Sequence, residues 1–211
     1  MAKKSMAGEV RHRLVSQLDD YRAGQRAALL KALALAEEVH ERQFRRPSKV
    51  SSAQPYVIHP MRVALILLEE LEYRDYEVIA AAILHDVIES SDGAVTVADL
   101  EQQFGRNIAL MVSTLSKPAP DPGVSRGQQL NIYHDRLNQA PIPTRLVKLS
   151  DRLDNMREIL TSIDADFQEE YLKETMKVYL PMAEAADQYL FEELVNCCQE
   201  LEQQLKVRSQ S

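Results

Sequence analysis

Apolar residues recur at spacings of three and four along most of this chain, and that periodicity limits its fold more than any other feature. Leu29, Ala32, Leu33, Ala36 and Val39 follow it, which lays an apolar stripe along one helical face. It returns in Val78, Ile79, Ala82, Ile83, Val87 and Ile88, and again in Leu146, Val147, Leu149, Leu153 and Met156. Good helix formers fill the positions between, and only 6 glycines interrupt 211 residues. No alternating run pairs with another, so no sheet is expected. The reading is an all-α bundle of roughly eight to ten helices.

Punctuation places those helices. One runs from about Leu18 to Phe44, behind a polar start over residues 1–20 that is expected to fray. Pro47, Pro55 and three serines then mark a loop over 45–58. His59-Pro60 opens a helix to about Leu71, since proline suits a helix start. A strongly apolar helix spans Asp75–Glu89 and ends at Ser90-Ser91-Asp92-Gly93. Thr96, with Asp99 three residues on, caps a helix that Gly105 closes. Further helices are read over Asn107–Leu115, Asn131–Asn138, Thr144–Leu160, Phe167–Leu180 and Met182–Leu205, with a break at Pro181. Residues 117–127 form a long loop with three prolines and two glycines. One domain over residues 1–211 is expected, its core lying from about 20 to 206 between flexible tails.

Net charge is −7, which weighs against a general nucleic-acid binder but not against a small anionic ligand held by a local basic cluster. Arg45, Arg46 and Lys49 form such a cluster in the first loop. No apolar run approaches the roughly 20 residues of a membrane span, and no signal peptide is read at the start. Cys197 and Cys198 are adjacent in a helical pattern and read as reduced thiols. A cytoplasmic protein is expected.

The chemistry centres on His85-Asp86, set inside AAAILHDVIES. A charged pair on a buried face is costly unless compensated, and a cation compensates it. Imidazole with carboxylate suits a divalent ion such as Mn²⁺, Zn²⁺ or Fe²⁺. His59, at a helix start, and Asp151, in the apolar run RLVKLSDRL, are the candidates to complete the set. Glu89 follows His85 by four residues and Asp86 by three, on the same face, where it could position or deprotonate water beside a metal. The isolated histidine on the first helix, His40, reads as structural.

Four segments in order, QFRR…PYVIHPMRVA, IAAAILHDVIES, VADLEQQFG and RLVKLSDRLDNMREI, resemble the hydrolase domain of the RelA/SpoT family. The likeness runs from about residue 25 to 190 and is strongest to the single-domain small alarmone hydrolases, which include the metazoan SpoT homologues. It implies an HD-domain helical fold, a Mn²⁺ site and removal of the 3′-pyrophosphate from (p)ppGpp. It assigns His59, His85, Asp86 and Asp151 to the metal; because N/O sites generally bind Zn²⁺ more tightly than Mn²⁺, Zn²⁺ or Fe²⁺ could occupy the site as isolated. It assigns Glu89 to the catalytic acidic pair, and Arg45, Arg46 and Asn155 to the nucleotide.

Three departures accompany the resemblance. Ser90 stands where the family carries its second catalytic acid. The Arg46–Pro55 segment is longer than in the long enzymes. Asp154 replaces a usual histidine, and Glu158 a small hydroxyl residue, near where the base would sit. The base is therefore open between (p)ppGpp and (pp)pApp. Two alternatives stand beside the hydrolase: a catalytically weakened alarmone-binding regulator, and a nucleotidase or NADPH phosphatase on the same HD site. The expected partner is a nucleotide rather than nucleic acid or membrane, and a homodimer is one arrangement the sequence permits.

Overall fold

The computed structural model describes residues 6–45, 53–162 and 164–209. Among them the fold is all-α, with α1 (Met6–Gln17), α2 (Ala23–Val39), α3 (Ile58–Leu65), α4 (Tyr76–Leu84), α5 (Val87–Ser90) and α6 (Val97–Phe104) in the first half. The second half holds α7 (Arg106–Leu115), α8 (Arg126–Gln139), α9 (Ile142–Ile159), α10 (Ala165–Glu174), α11 (Leu180–Glu184) and α12 (Gln188–Ser209). Only His85 and Asp86 separate α4 from α5, and a π-helical turn, Thr175–Tyr179, joins α10 to α11. Counted as continuous rods, the described residues therefore make ten helices, as the periodicity implied. The sole strand-like feature among them is one antiparallel bridge, Phe44 with Pro55, at the neck of the first loop.

Helices α3, α4 and α9 form the centre. Every residue of α4 from Val78 to Leu84 is buried, and α2, α3, α7 and α9 enclose it. Each large aliphatic side chain taken from water there contributes about 1.5–3 kcal/mol. Helix α9 is also buried on most faces, from Thr144 to Ile159. His59 lies on α3, Asp151 and Asn155 on α9, and His85-Asp86 directly follow α4, so the core itself positions these residues.

Several boundaries differ from expectation. The first 20 residues are not merely a frayed lead: α1 packs on α3 and contributes Leu14, while the following 3-10 turn contributes Leu18, both fully buried. Polar composition masked a narrow apolar edge. The apolar helix expected over Asp75–Glu89 is interrupted within its span: His85 and Asp86 form a turn, where His85 Nδ1 donates to the Ala82 carbonyl at 2.8 Å, and α5 then continues the rod to Ser90. Helix α8 starts at Arg126 rather than Asn131, drawn back by a Ser125–Gln128 capping box. Pro181 does not break its helix but sits in the first turn of α11, and the break falls between Glu184 and Gln188. The Thr96–Asp99 capping box and the glycine stop hold as read, with Gly105 at φ 92° between α6 and α7.

Candidate metal centre

His59, in the first turn of α3, His85, just past α4, and Asp151, in the middle of α9, are all buried and converge. One donor atom from each lies within 4.8 Å of the others. His59 Nε2 is 3.0 Å from Asp151 Oδ1, and His85 Nε2 is 3.7 Å from the same oxygen. Asp86 Oδ2 adds a fourth side, 3.3 Å from His85 Nε2 and 3.8 Å from His59 Nε2.

Both histidines are oriented through their other nitrogen. His85 Nδ1 donates to Ala82, which leaves Nε2 pointing inward, buried and without a hydrogen-bond partner. His59 Nδ1 donates to Asp154 Oδ2 at 2.7 Å, the carboxylate–histidine arrangement that fixes a metal-binding tautomer. Burial disfavours charge throughout the cluster, yet the carboxylates prevail: Asp86 and Asp151 hold the His85 imidazole well above its usual range. Against the same burial, His85 and His59 keep Asp86 below the ordinary carboxylate range. Lys148 and the two histidines do so for Asp151. The unpartnered inward nitrogen, the excess of carboxylates and the mixed N/O donors fit a divalent cation.

Asp151 is also held through both carboxylate oxygens, Oδ1 being the one that faces the histidines. Lys148 Nζ pairs with Oδ2 at 2.7 Å, and Asn155 Nδ2 donates to Oδ1 at 2.5 Å. Asn155 Oδ1 in turn accepts from Arg45 Nη2 at 2.6 Å. Arg45 lies in the loop neck, where its Nε pairs with Glu158 Oε2 at 2.5 Å. Glu158 Oε2 also takes Arg62 Nη2 at 3.1 Å, and Arg62 Nε stands 2.7 Å from Asp154 Oδ1. Arg45, Asp154 and Glu158 wall a cavity of about 490 Å³ that α1 shares through Val10 and Arg13. A larger, more apolar groove of about 670 Å³ beside Leu110 and Ile132 contains none of the candidate residues.

Glu89 lies on α5, and its Oε1 accepts the Lys117 backbone N–H at 2.7 Å. Thus the long loop after α7 caps this carboxylate. Crowding around the carboxyl and the nearby Asp86 charge raise its pKa against the pull of that N–H. Ser90 follows, its carbonyl accepting from Gln43 Nε2 at 2.9 Å. Arg46 and Lys49 lie outside the described residues. Asp154, read from sequence as near where the base would sit, walls the cavity with Arg45 and is also buried against His59, a contact that its position three residues past Asp151 on one helical face could have signalled. Tyr56 and Lys148 were also missed: Tyr56 Oη donates to Asp86 Oδ2 at 2.6 Å.

The family model described as "HD domain" matches residues 32–188. The chain belongs to the HD domain family. The bifunctional (p)ppGpp synthase/hydrolase SpoT of Escherichia coli K12 is 36% identical over 167 residues, covering 74% of this chain and 21% of that protein. The guanosine-3′,5′-bis(diphosphate) 3′-pyrophosphohydrolase MESH1 of Danio rerio is 35% identical over 136 residues, covering 63% of this chain and 69% of that protein. The chain spans about a fifth of the length of the long bacterial relatives it matches. A solved structure of a metazoan ortholog of SpoT shares the fold, with TM-score 0.72 at 24% identity over 85% of this chain and 97% of that one. Among the described residues no helix is long and apolar enough to cross a membrane. Cys197 and Cys198 are free and buried, and burial pushes both thiols up to about 11.

Proposed function

We propose that the chain is a metal-dependent hydrolase that removes the 3′-pyrophosphate from an alarmone nucleotide, (p)ppGpp or (pp)pApp. The convergence of His59, His85, Asp86 and Asp151 on one buried point carries this reading. The names borne by the SpoT and MESH1 relatives support the substrate class. We assign all four residues to the cation, with Mn²⁺ as the working ion and Zn²⁺ or Fe²⁺ as competitors for the same donors. When bound, the ion supplies Lewis-acid polarisation and lowers the pKa of water.

The chain's own residues do the rest. Glu89 stands beside Asp86 with a raised carboxyl pKa, suited to take a proton from attacking water. The water oxygen bonds to the phosphorus next to O3′, the P–O3′ bond breaks, and O3′ takes up the proton that Glu89 removed, giving pyrophosphate and a free 3′ hydroxyl. The Lys117 N–H steers Glu89 Oε1. Arg45 and Arg46 meet phosphate oxygens, for which guanidinium geometry is suited. Arg45 does so by exchanging its Glu158 partner. Asn155 aligns Arg45 with Asp151 and contacts the nucleoside. We expect the reaction in the cytoplasm, where nucleotides are at hand and thiols such as Cys197 and Cys198 stay reduced.

Ser90 supports a second reading, a nucleotide-binding regulator of weakened catalysis, because its hydroxyl cannot serve as a carboxylate base. Assaying pyrophosphate release from ppGpp and pppApp with Mn²⁺, for wild type and Ser90→Asp, separates the two. Turnover by wild type of at least one alarmone supports the hydrolase. Tight binding without turnover, with activity gained in Ser90→Asp, supports the regulator.

A further inference from the structure

Tyr56 occupies a place that the proposed chemistry does not use. Its hydroxyl donates to Asp86 Oδ2 at 2.6 Å, the same oxygen that faces both histidine nitrogens. The ring is packed by His40, with centroids 4.8 Å apart, and by the Arg45 guanidinium, 5.5 Å from the centroid.

The backbone explains why this tyrosine is so well placed. Tyr56 N–H donates to the Gln43 carbonyl at 2.8 Å, and Arg45 N–H to the Gln54 carbonyl at 2.8 Å. With the Phe44–Pro55 bridge, these bonds draw the two ends of the loop into a neck that holds Arg45 and Tyr56 side by side. The Tyr56 carbonyl then accepts from His59 N–H at 2.9 Å as α3 begins. Contacts therefore run from Asp86 to Tyr56, from Tyr56 to Arg45, from Arg45 to Asn155 and from Asn155 to Asp151.

We propose that Tyr56 is a positioning residue for the metal centre, closing a circuit through Arg45 and Asn155 that fixes the Asp86 and Asp151 carboxylates relative to each other. A carboxylate whose non-metal contacts are fixed loses less freedom on binding an ion, and such supporting contacts typically change metal affinity about ten- to a hundredfold. The circuit also runs through the arginine assigned to phosphate, so the same residues that recognise nucleotide hold the ion's ligands in register. The inference rests on reading the cluster as a cation site.

The test is Mn²⁺ titration calorimetry on chelator-treated protein without nucleotide, for wild type, Tyr56→Phe, Asn155→Ala and the double variant. Tyr56→Phe keeps the ring and its packing and removes only the hydroxyl, and melting of the ion-free proteins reports their folding separately. The expected result is a dissociation constant raised about ten- to a hundredfold in Tyr56→Phe. The double variant is expected to fall short of the product of the two single effects, because one circuit is cut twice. Affinity within twofold of wild type in Tyr56→Phe overturns the positioning role. A fully multiplicative double variant overturns the circuit. Absence of Mn²⁺ binding by wild type overturns the cation reading along with both, whereas wild-type binding with an unaffected Tyr56→Phe overturns this inference alone.

Discussion

Asp154 offers the sharpest quantitative consequence of the geometry. It touches no reacting group, yet its Oδ2 receives the His59 Nδ1 proton at 2.7 Å and its Oδ1 lies 2.7 Å from Arg62 Nε. Asp154→Asn keeps the size and an acceptor oxygen but removes the charge that makes His59 a stronger donor. Loss of such a supporting partner weakens metal affinity about ten- to a hundredfold, or about 1.4–2.7 kcal/mol. At saturating Mn²⁺ the same amount disappears from ligand-linked stability, since that stabilisation follows the logarithm of occupancy. For a chain of this length 1 kcal/mol corresponds to about 2–4 °C, so the Mn²⁺-induced rise in Tm should shrink by about 3–10 °C. Scanning calorimetry with and without Mn²⁺ measures this, and the ion-free scans remove any effect on folding through Arg62. An Mn²⁺-induced rise equal to that of wild type refutes the reasoning.

Other consequences follow from the same contacts. Glu89→Gln should lower kcat about 10²–10⁴-fold with Mn²⁺ binding retained, as measured by pyrophosphate release and calorimetry. Glu158→Gln weakens the competitor for Arg45, so nucleotide affinity should rise, on the order of tenfold, in equilibrium titration. His85 holds its proton more tightly than a free imidazole, so proton and metal compete below its raised pKa. Mn²⁺ affinity should therefore fall as pH drops through that range and recover above it, with proton release on binding at low pH. Buffer-dependent calorimetric enthalpies read that release directly.

The helical class and most elements were legible because packing periodicity and cap chemistry are local. Thr96–Asp99 and Gly105 illustrate this, since each acts within one turn. His59, His85, Asp86 and Asp151 could be named as candidates because each is a polar residue in an apolar run and each falls in a segment that carries the family resemblance, whereas an HD pair alone is a weak signal. The supporting residues could not be named this way. Tyr56 looks like an ordinary loop aromatic until the fold brings it to Asp86, 30 residues away. The Asp154 contact crosses 95 residues and the Arg45–Asn155 contact 110, and no local pattern encodes either. The interruption between α4 and α5 was missed for a related reason. Apolar periodicity continues through Val87 and Ile88, while His85 takes the Ala82 carbonyl and puts a turn into the rod. Likewise α1 was lost in polar composition because few of its residues, Leu14 among them, face the core.

The most direct test of the account is quantitative product analysis of purified protein with Mn²⁺ and ppGpp, alongside the His85→Ala/Asp86→Ala double variant. The account predicts that wild type releases pyrophosphate and GDP in equal amounts, that chelator stops the reaction and Mn²⁺ restores it, and that the variant is inactive. The same measurement with pppApp sets the base preference. Stoichiometric Mn²⁺ binding without pyrophosphate release from either alarmone would contradict it.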